Sequence, residues 1–290
     1  MSDKTTYVDL FADDNTLYDI NKNKSQSENN LNASLKILEK WCLLNGMQLN
    51  TDKTKVMLIT TKQKCAIADA KNSLLLKYKD IQLEVSSGEK LLGINIDEHL
   101  KWDAHVRVVT KKLSSYIWLL SRSKYLTNEY KLLYYKAYIM PHLNYCSTIW
   151  GNTTVSNKNK IDRLQKRACK IILGTNYTDF ESALEYLNLL KFEDRVTFNK
   201  SLAMFKIANH KSPEYLCDMY KMRDINNDNG NITLRSVTNK NFCIPKCKLE
   251  MFKSSLTYSG PIIWNNLPKD LKKCQNLTSF KRQYLKIARK

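Results

Sequence analysis

Hydrophobic side chains recur along this chain with two different periods, and the change between them falls near Trp102. Residues 5–20, Thr-Thr-Tyr-Val-Asp-Leu-Phe-Ala-Asp-Asp-Asn-Thr-Leu-Tyr-Asp-Ile, form two short β-prone runs interrupted by an acidic turn, which predicts a hairpin. Ser27, Leu31, Leu35, Leu38 and Cys42 then recur three or four residues apart, and Gly46 offers a left-handed stop, so an amphipathic helix is expected there. Lys55 to Thr60, Ile81 to Val85 and Leu91 to Ile96 are predicted strands, the last two separated by a Ser-Ser-Gly turn. From Trp102 onward the pattern turns helical. Trp102, Val106, Val109, Leu113, Ile117 and Leu120 make one apolar stripe with basic residues on the other faces, and further helices are expected at about 128–149, 157–173, 179–190 and 192–210. Pro141 should kink or end its helix. Residues 224–231, Asp-Ile-Asn-Asn-Asp-Asn-Gly-Asn, read as a linker, followed by an aromatic cluster at Tyr258 and Trp264 and a short basic helix from about 277 to 290. The class that emerges is α+β.

Charge sharpens the division. The 290 residues carry a formal net charge of +19, yet residues 1–100 hold 13 basic against 14 acidic residues, and residues 101–290 hold 34 against 14. A concentrated basic region is the electrostatic footprint of a polyanion binder, and an intracellular polyanion is most often nucleic acid; the blander reading is a solubilising surface. The first candidate phosphate contacts are Lys111, Lys112, Arg122, Lys124, Lys158, Lys160, Arg163, Lys166, Arg167 and Lys170, while Tyr116, Tyr134, Tyr135 and Trp150 either stack on bases or fill the helical core. No run approaches the roughly 18 apolar residues of a membrane span, and no basic-then-apolar signal segment opens the chain, so an intracellular protein, nuclear or cytoplasmic, without a membrane partner is expected. The eight scattered cysteines then read as reduced thiols, and Cys243 and Cys247 lack a second pair for zinc.

The candidate chemistry lies at the predicted hairpin. Phe11-Ala12-Asp13-Asp14 sets two adjacent carboxylates at its tip, where they either make an ordinary solvated acidic turn or hold Mg²⁺, a hard cation that prefers oxygen ligands. Together with Trp41-Cys42-Leu43-Leu44-Asn45-Gly46, with Asn50-Thr51-Asp52-Lys53-Thr54-Lys55-Val56-Met57 and with Leu91-Leu92-Gly93-Ile94-Asn95-Ile96-Asp97, this order of motifs resembles the reverse transcriptases of animal non-LTR retrotransposons. The resemblance extends to the basic helices containing Tyr145 to Gly151 and Ile161 to Arg167, and to Tyr258 to Pro268, so that it covers essentially the whole chain.

The resemblance implies an RNA-directed DNA polymerase acting by two-metal nucleotidyl transfer on an RNA and DNA primer-template. Asp13 and Asp14 would be metal ligands in a palm, Lys53 would face the phosphates of the incoming nucleotide, and Leu92, Gly93 and Ile94 would form a primer-grip-like hairpin. By the same resemblance, residues 1–100 correspond to a partial palm, 101–223 to a helical thumb and 224–290 to a linker and C-terminal extension. A further catalytic aspartate and the fingers are expected upstream of Phe11, and Asp9 shares the strand of the Asp13 motif and so cannot replace that ligand. The expectation is therefore a 290-residue chain that is inactive alone, with an upstream reverse-transcriptase fragment as a possible partner in trans. The alternative is a nucleic-acid-binding remnant or domesticated fragment that performs no chemistry.

Overall fold

A computed structural model of the chain describes residues 6–67, 74–223 and 240–288. The predicted linker at 224–231 lies outside the described residues. Contacts divide the chain into two compact units, 1–100 and 101–290.

The first unit mixes short strands with one long helix, in keeping with the α+β class. Strands β1 (Thr6–Phe11) and β2 (Asp14–Asp19) pair antiparallel from Thr6 with Asp19 to Phe11 with Asp14. Helix α1 (Lys24–Leu44) starts at Asn23, whose side chain accepts the Ser25 amide at 3.0 Å. It stops at Gly46 in a Schellman arrangement: Gly46 has a φ of 63°, its N–H reaches the Leu43 carbonyl, and the Met47 N–H reaches that of Cys42 at 2.8 Å. The spacing of Leu31, Leu35 and Leu38 brings them onto one face, which packs with Leu17, Leu49, Leu76, Tyr78 and Leu83 into a small core. Around it run β3 (Lys55–Val56), α2 (Lys62–Ile67), β4 (Lys77–Tyr78), β5 (Ile81–Gln82), β6 (Glu84–Val85), β7 (Gly88–Leu91) and β8 (Ile94–Asp97).

Three strand predictions require correction, the first being Ile81 to Val85, which is divided between β5, paired with β4, and β6, paired with β3. Of Lys55 to Thr60, only Lys55 and Val56 join a ladder, parallel to Glu84 and Val85. The run Leu91 to Ile96 is not one strand, because the chain reverses at Leu92 and Gly93, with φ of 45° and 85°, and Leu91 pairs with Ile94 across the turn. Two consecutive positive φ values are the signature of a tight hairpin turn. The Ser-Ser-Gly segment instead leads from β6 into β7.

The second unit is helical. Helix α3 (Asp103–Arg122) buries Val106, Val109, Leu113, Ile117 and Leu120, and Trp102 just before it is buried as well. The helix expected at 128–149 is divided into α4 (Asn128–Tyr134), a π-helical turn (Tyr135–Ile139), α5 (Met140–Asn144) and α6 (Ser147–Trp150). Pro141 lacks an N–H, and the preceding Met140 amide bonds the Tyr135 carbonyl, five residues back, so the helix widens rather than ending. The real break comes at Cys146, whose φ is 47°.

Next come α7 (Val155–Leu173), α8 (Phe180–Tyr186), α9 (Phe192–Ala208) and α10 (Glu214–Asp218). After them lie α11 (Glu250–Ser254), α12 (Leu256–Asn265), α13 (Lys269–Lys272) and α14 (Leu277–Ile287). Helix α3 packs on α7, and α9 packs against α5, α6, α7, α12 and α14, which makes it the central helix of the unit. One end of α9 meets Trp150, fully buried, stacked on Phe192 at 5.2 Å and donating its indole N–H to the Tyr145 carbonyl at 2.7 Å. The other end enters a core of Met204, Phe205, Phe242, Trp264 and Phe280, where the Trp264 N–H reaches the Lys240 carbonyl at 2.9 Å. Tyr258 is not among the residues of this core and instead meets the Phe252 ring edge-on at 6.4 Å.

Candidate carboxylate hairpin and basic surface

At the hairpin tip the register closes on Phe11 and Asp14, leaving Ala12 and Asp13 as the two-residue loop. Ala12 takes a left-handed φ of 54°, a strained conformation for a residue with a Cβ. Cross-strand pairing sets Tyr7, Asp9 and Phe11 on one face with Tyr18, Thr16 and Asp14. Tyr7 and Tyr18 stack at 5.2 Å, and burial followed by the negative charge of Asp9 pushes the Tyr18 phenol up. Asp13 and Asp14 are both exposed, and among the described residues neither side chain enters a hydrogen bond or ion pair.

Mg²⁺ is the cofactor that the sequence resemblance implies. It binds through one or two carboxylates completed by waters and substrate phosphates, whereas a two-ion centre needs oxygen ligands for both ions. Among the described residues no group of three or more Asp, Glu, His or Cys is gathered to hold a metal. Asp13 and Asp14 alone therefore do not fit a two-ion centre.

Lys53 stands in a separate, locally knit turn. The Asn50 side chain accepts the amides of Asp52 and Lys53, each at 3.1 Å, while the Asn50 carbonyl takes the Thr54 hydroxyl at 2.8 Å. The Lys53 side chain is exposed, and no hydrogen bond or ion pair joins it to Asp13 or Asp14. At the β7–β8 turn Leu92 is 45% exposed and Ile94 is buried, with Gly93 between them.

The basic candidates divide cleanly. Lys111, Lys112 and Arg122 lie on exposed positions of α3, Lys124 lies in the turn after it, and Arg163, Lys166, Arg167 and Lys170 lie on exposed positions of α7. Two of them rest against rings: Arg122 over Trp118 at 4.9 Å and Lys170 over Tyr177 at 5.2 Å. Lys158 is committed to Glu193 at 2.6 Å, which holds that carboxyl below its usual range, and Lys160 donates to the Asn157 side chain at 3.2 Å.

Part of the positive charge is internal. Arg195 and Lys200 on α9 and Lys272 on α13 are all buried. Arg195 reaches the Asn144 side-chain oxygen at 3.4 Å, Lys200 donates to the Ser259 hydroxyl at 2.9 Å, and Lys272 donates to the Asn265 carbonyl at 2.9 Å. Burial, with a smaller contribution from the charge of Lys158, pushes the Lys200 amine down to about 8.

Of the aromatic residues singled out from sequence, Tyr135 and Trp150 are core, each fully buried. Tyr116 and Tyr134 are half-buried in a ring series in which Tyr134 meets Tyr138 at 4.7 Å, Tyr138 meets Tyr116 at 6.0 Å and Tyr116 stacks on His142 at 5.3 Å. The open rings are others, notably Trp118 at 51% exposure and Tyr125 at 101%. Their signal was present in the sequence, since Trp118 falls outside the apolar stripe of α3.

No helix among the described residues is long and apolar enough to cross a membrane. No family model and no solved structure matches the chain. Two curated proteins of Drosophila melanogaster do. The probable RNA-directed DNA polymerase from transposon BS is 26% identical over 207 residues, which are 70% of this chain and 22% of that protein. The probable RNA-directed DNA polymerase from transposon X-element is 22% identical over 177 residues, 59% of this chain and 19% of that protein. The chain thus spans about a fifth of the length of these relatives. By these similarities, it is a distant relative of the reverse transcriptases of non-LTR retrotransposons.

Proposed function

We propose that the chain is the part of a retrotransposon RNA-directed DNA polymerase that combines a partial palm with a thumb and C-terminal extension, and that it grips an RNA and DNA primer-template. The observation that carries this reading is the similarity to two transposon polymerases over 59–70% of the chain. The solvent-facing basic residues of α3 and α7 support it, because phosphate neutralisation needs cations that are exposed and not already paired.

In this reading Asp13 and Asp14 are contributed to a polymerase centre whose other carboxylates lie outside the described residues, in the same polypeptide or in a second one. Their exposed position at a hairpin tip leaves both free for such a role. Lys53 faces nucleotide phosphates, and the Leu92-Gly93-Ile94 turn acts as the primer grip. The 290-residue chain alone binds without extending, because two carboxylates do not complete a two-ion centre.

A labelled RNA–DNA primer-template incubated with the purified chain, Mg²⁺ and nucleotides tests both halves together. Binding without extension of the primer is expected. Failure to bind would overturn the nucleic-acid reading, and primer extension that disappears with Asp13→Ala would overturn the inactivity of the chain alone.

A further inference from the structure

The outward face of α3 carries a feature that phosphate binding alone does not explain. Arg107, Lys111, Ser115, Trp118 and Arg122 follow one another three or four residues apart, so they share one side of the helix, and all five are exposed. A tryptophan on an otherwise polar, basic stripe leaves half of its surface in water. Arg122 lies over that ring at 4.9 Å. Directly beyond the helix, the turn closed by the Leu126 amide on the Ser123 carbonyl presents Lys124 and the fully exposed Tyr125.

The surrounding charge restricts what can dock there. Between Ala104 and Ile161 the sequence has nine Lys and Arg residues and a single acid, Glu129. An acidic ligand is therefore selected, and the open aromatic rings select one that also offers flat apolar faces. Bases within a duplex already have those faces covered by their neighbours, whereas unpaired bases do not.

We propose that the end of α3 and the turn after it form a stacking platform for unpaired nucleotides. Trp118 and Tyr125 take base faces, and Lys111, Arg122 and Lys124 take the adjoining phosphates. This deepens the reading of the chain as a nucleic-acid binder and rests on it.

The test compares three labelled ligands of equal length on the purified chain: a single-stranded oligothymidylate, an abasic strand of the same charge and a blunt duplex. Oligothymidylate is expected to bind more tightly than the abasic strand. Trp118→Ala should weaken oligothymidylate binding by about 5- to 150-fold, the equivalent of about 1–3 kcal/mol per stacked base, and leave abasic binding and its salt dependence unchanged. Trp118→Phe should retain most of the affinity, and Tyr125→Ala should repeat the pattern of Trp118→Ala. Because both side chains are exposed, unchanged thermal melting will separate lost contacts from lost folding. Equal wild-type binding of the base-bearing and abasic strands would overturn the platform while leaving the nucleic-acid reading intact. So would an equal loss on both strands in Trp118→Ala, or no loss on either, the last outcome pointing to a protein partner. Absence of binding to all three ligands would overturn both.

Discussion

Replacing Lys200 by Met should stabilise the protein, although it deletes a hydrogen bond. Lys200 is 2% exposed, and its ammonium is held by the Ser259 hydroxyl at 2.9 Å, with no carboxylate partner among the described residues. Burial, and secondarily the charge of Lys158, lowers the amine from 10.5 to about 8. At about 1.4 kcal/mol per tenfold change in proton affinity, keeping this group charged in the fold costs about 3 kcal/mol at pH 7. The lost hydrogen bond gives back about 1 kcal/mol, so a net gain of about 2 kcal/mol is expected for a side chain of similar length.

The pH dependence has a definite sign. The folded-state pKa is depressed, so between about pH 8 and 10.5 the unfolded chain holds more protons than the folded one, and stability rises with pH across that window. Urea unfolding of wild type and Lys200→Met at pH 7, 8, 9 and 10 should show a gap that is largest at pH 7 and narrows above pH 8. A variant less stable than wild type at pH 7, by an amount independent of pH, would refute the buried-charge argument.

Other substitutions test separate links. Ile117→Ala removes a fully buried side chain from the stripe of α3 and should cost about 2–5 kcal/mol in chemical denaturation. Gly93→Ala places a Cβ at a φ of 85° and should destabilise by about 1–2 kcal/mol, visible as a lower urea midpoint. Asp13→Ala and Asp14→Ala alter exposed groups without partners among the described residues, so each should shift stability by no more than about 0.5 kcal/mol and leave primer-template affinity intact. A large loss of folding in either would mean that the pair is structural.

What the sequence made legible follows from periodicity. The Leu31, Leu35, Leu38 and Cys42 spacing and the stripe from Val106 to Leu120 both found their cores, because burial of one helix face is a local pattern that repeats every turn. Periodicity alone read the apolar run Leu91 to Ile96 as one strand, since Leu is not a turn residue; the hairpin at Leu92 and Gly93 was expected only from the resemblance, with Gly93 suited to the positive φ. Cys146 breaks the helix with a left-handed φ of 47°, a conformation that a cysteine does not signal in sequence. Counting charge treated every lysine as surface, yet Lys200 and Lys272 are inside. At the carboxylate site, the hairpin and its solvent-facing acidic tip followed from the sequence, whereas the closing of the loop to Ala12 and Asp13, the place of Asp14 within β2 and the separation of Lys53 into its own turn required the structure.

The most direct measurement of the central claim is the salt dependence of primer-template affinity for wild type and for a variant with Arg163, Lys166, Arg167 and Lys170 all changed to Gln. Each phosphate contact contributes about −0.9 to the slope of log affinity against log salt. Wild type should bind with a steep negative slope, and the variant should bind more weakly with a slope shallower by up to about 3.6, the limit if all four residues contact phosphate. A shallow wild-type slope, or a variant with unchanged slope and affinity, would contradict the assignment of this basic surface to nucleic acid.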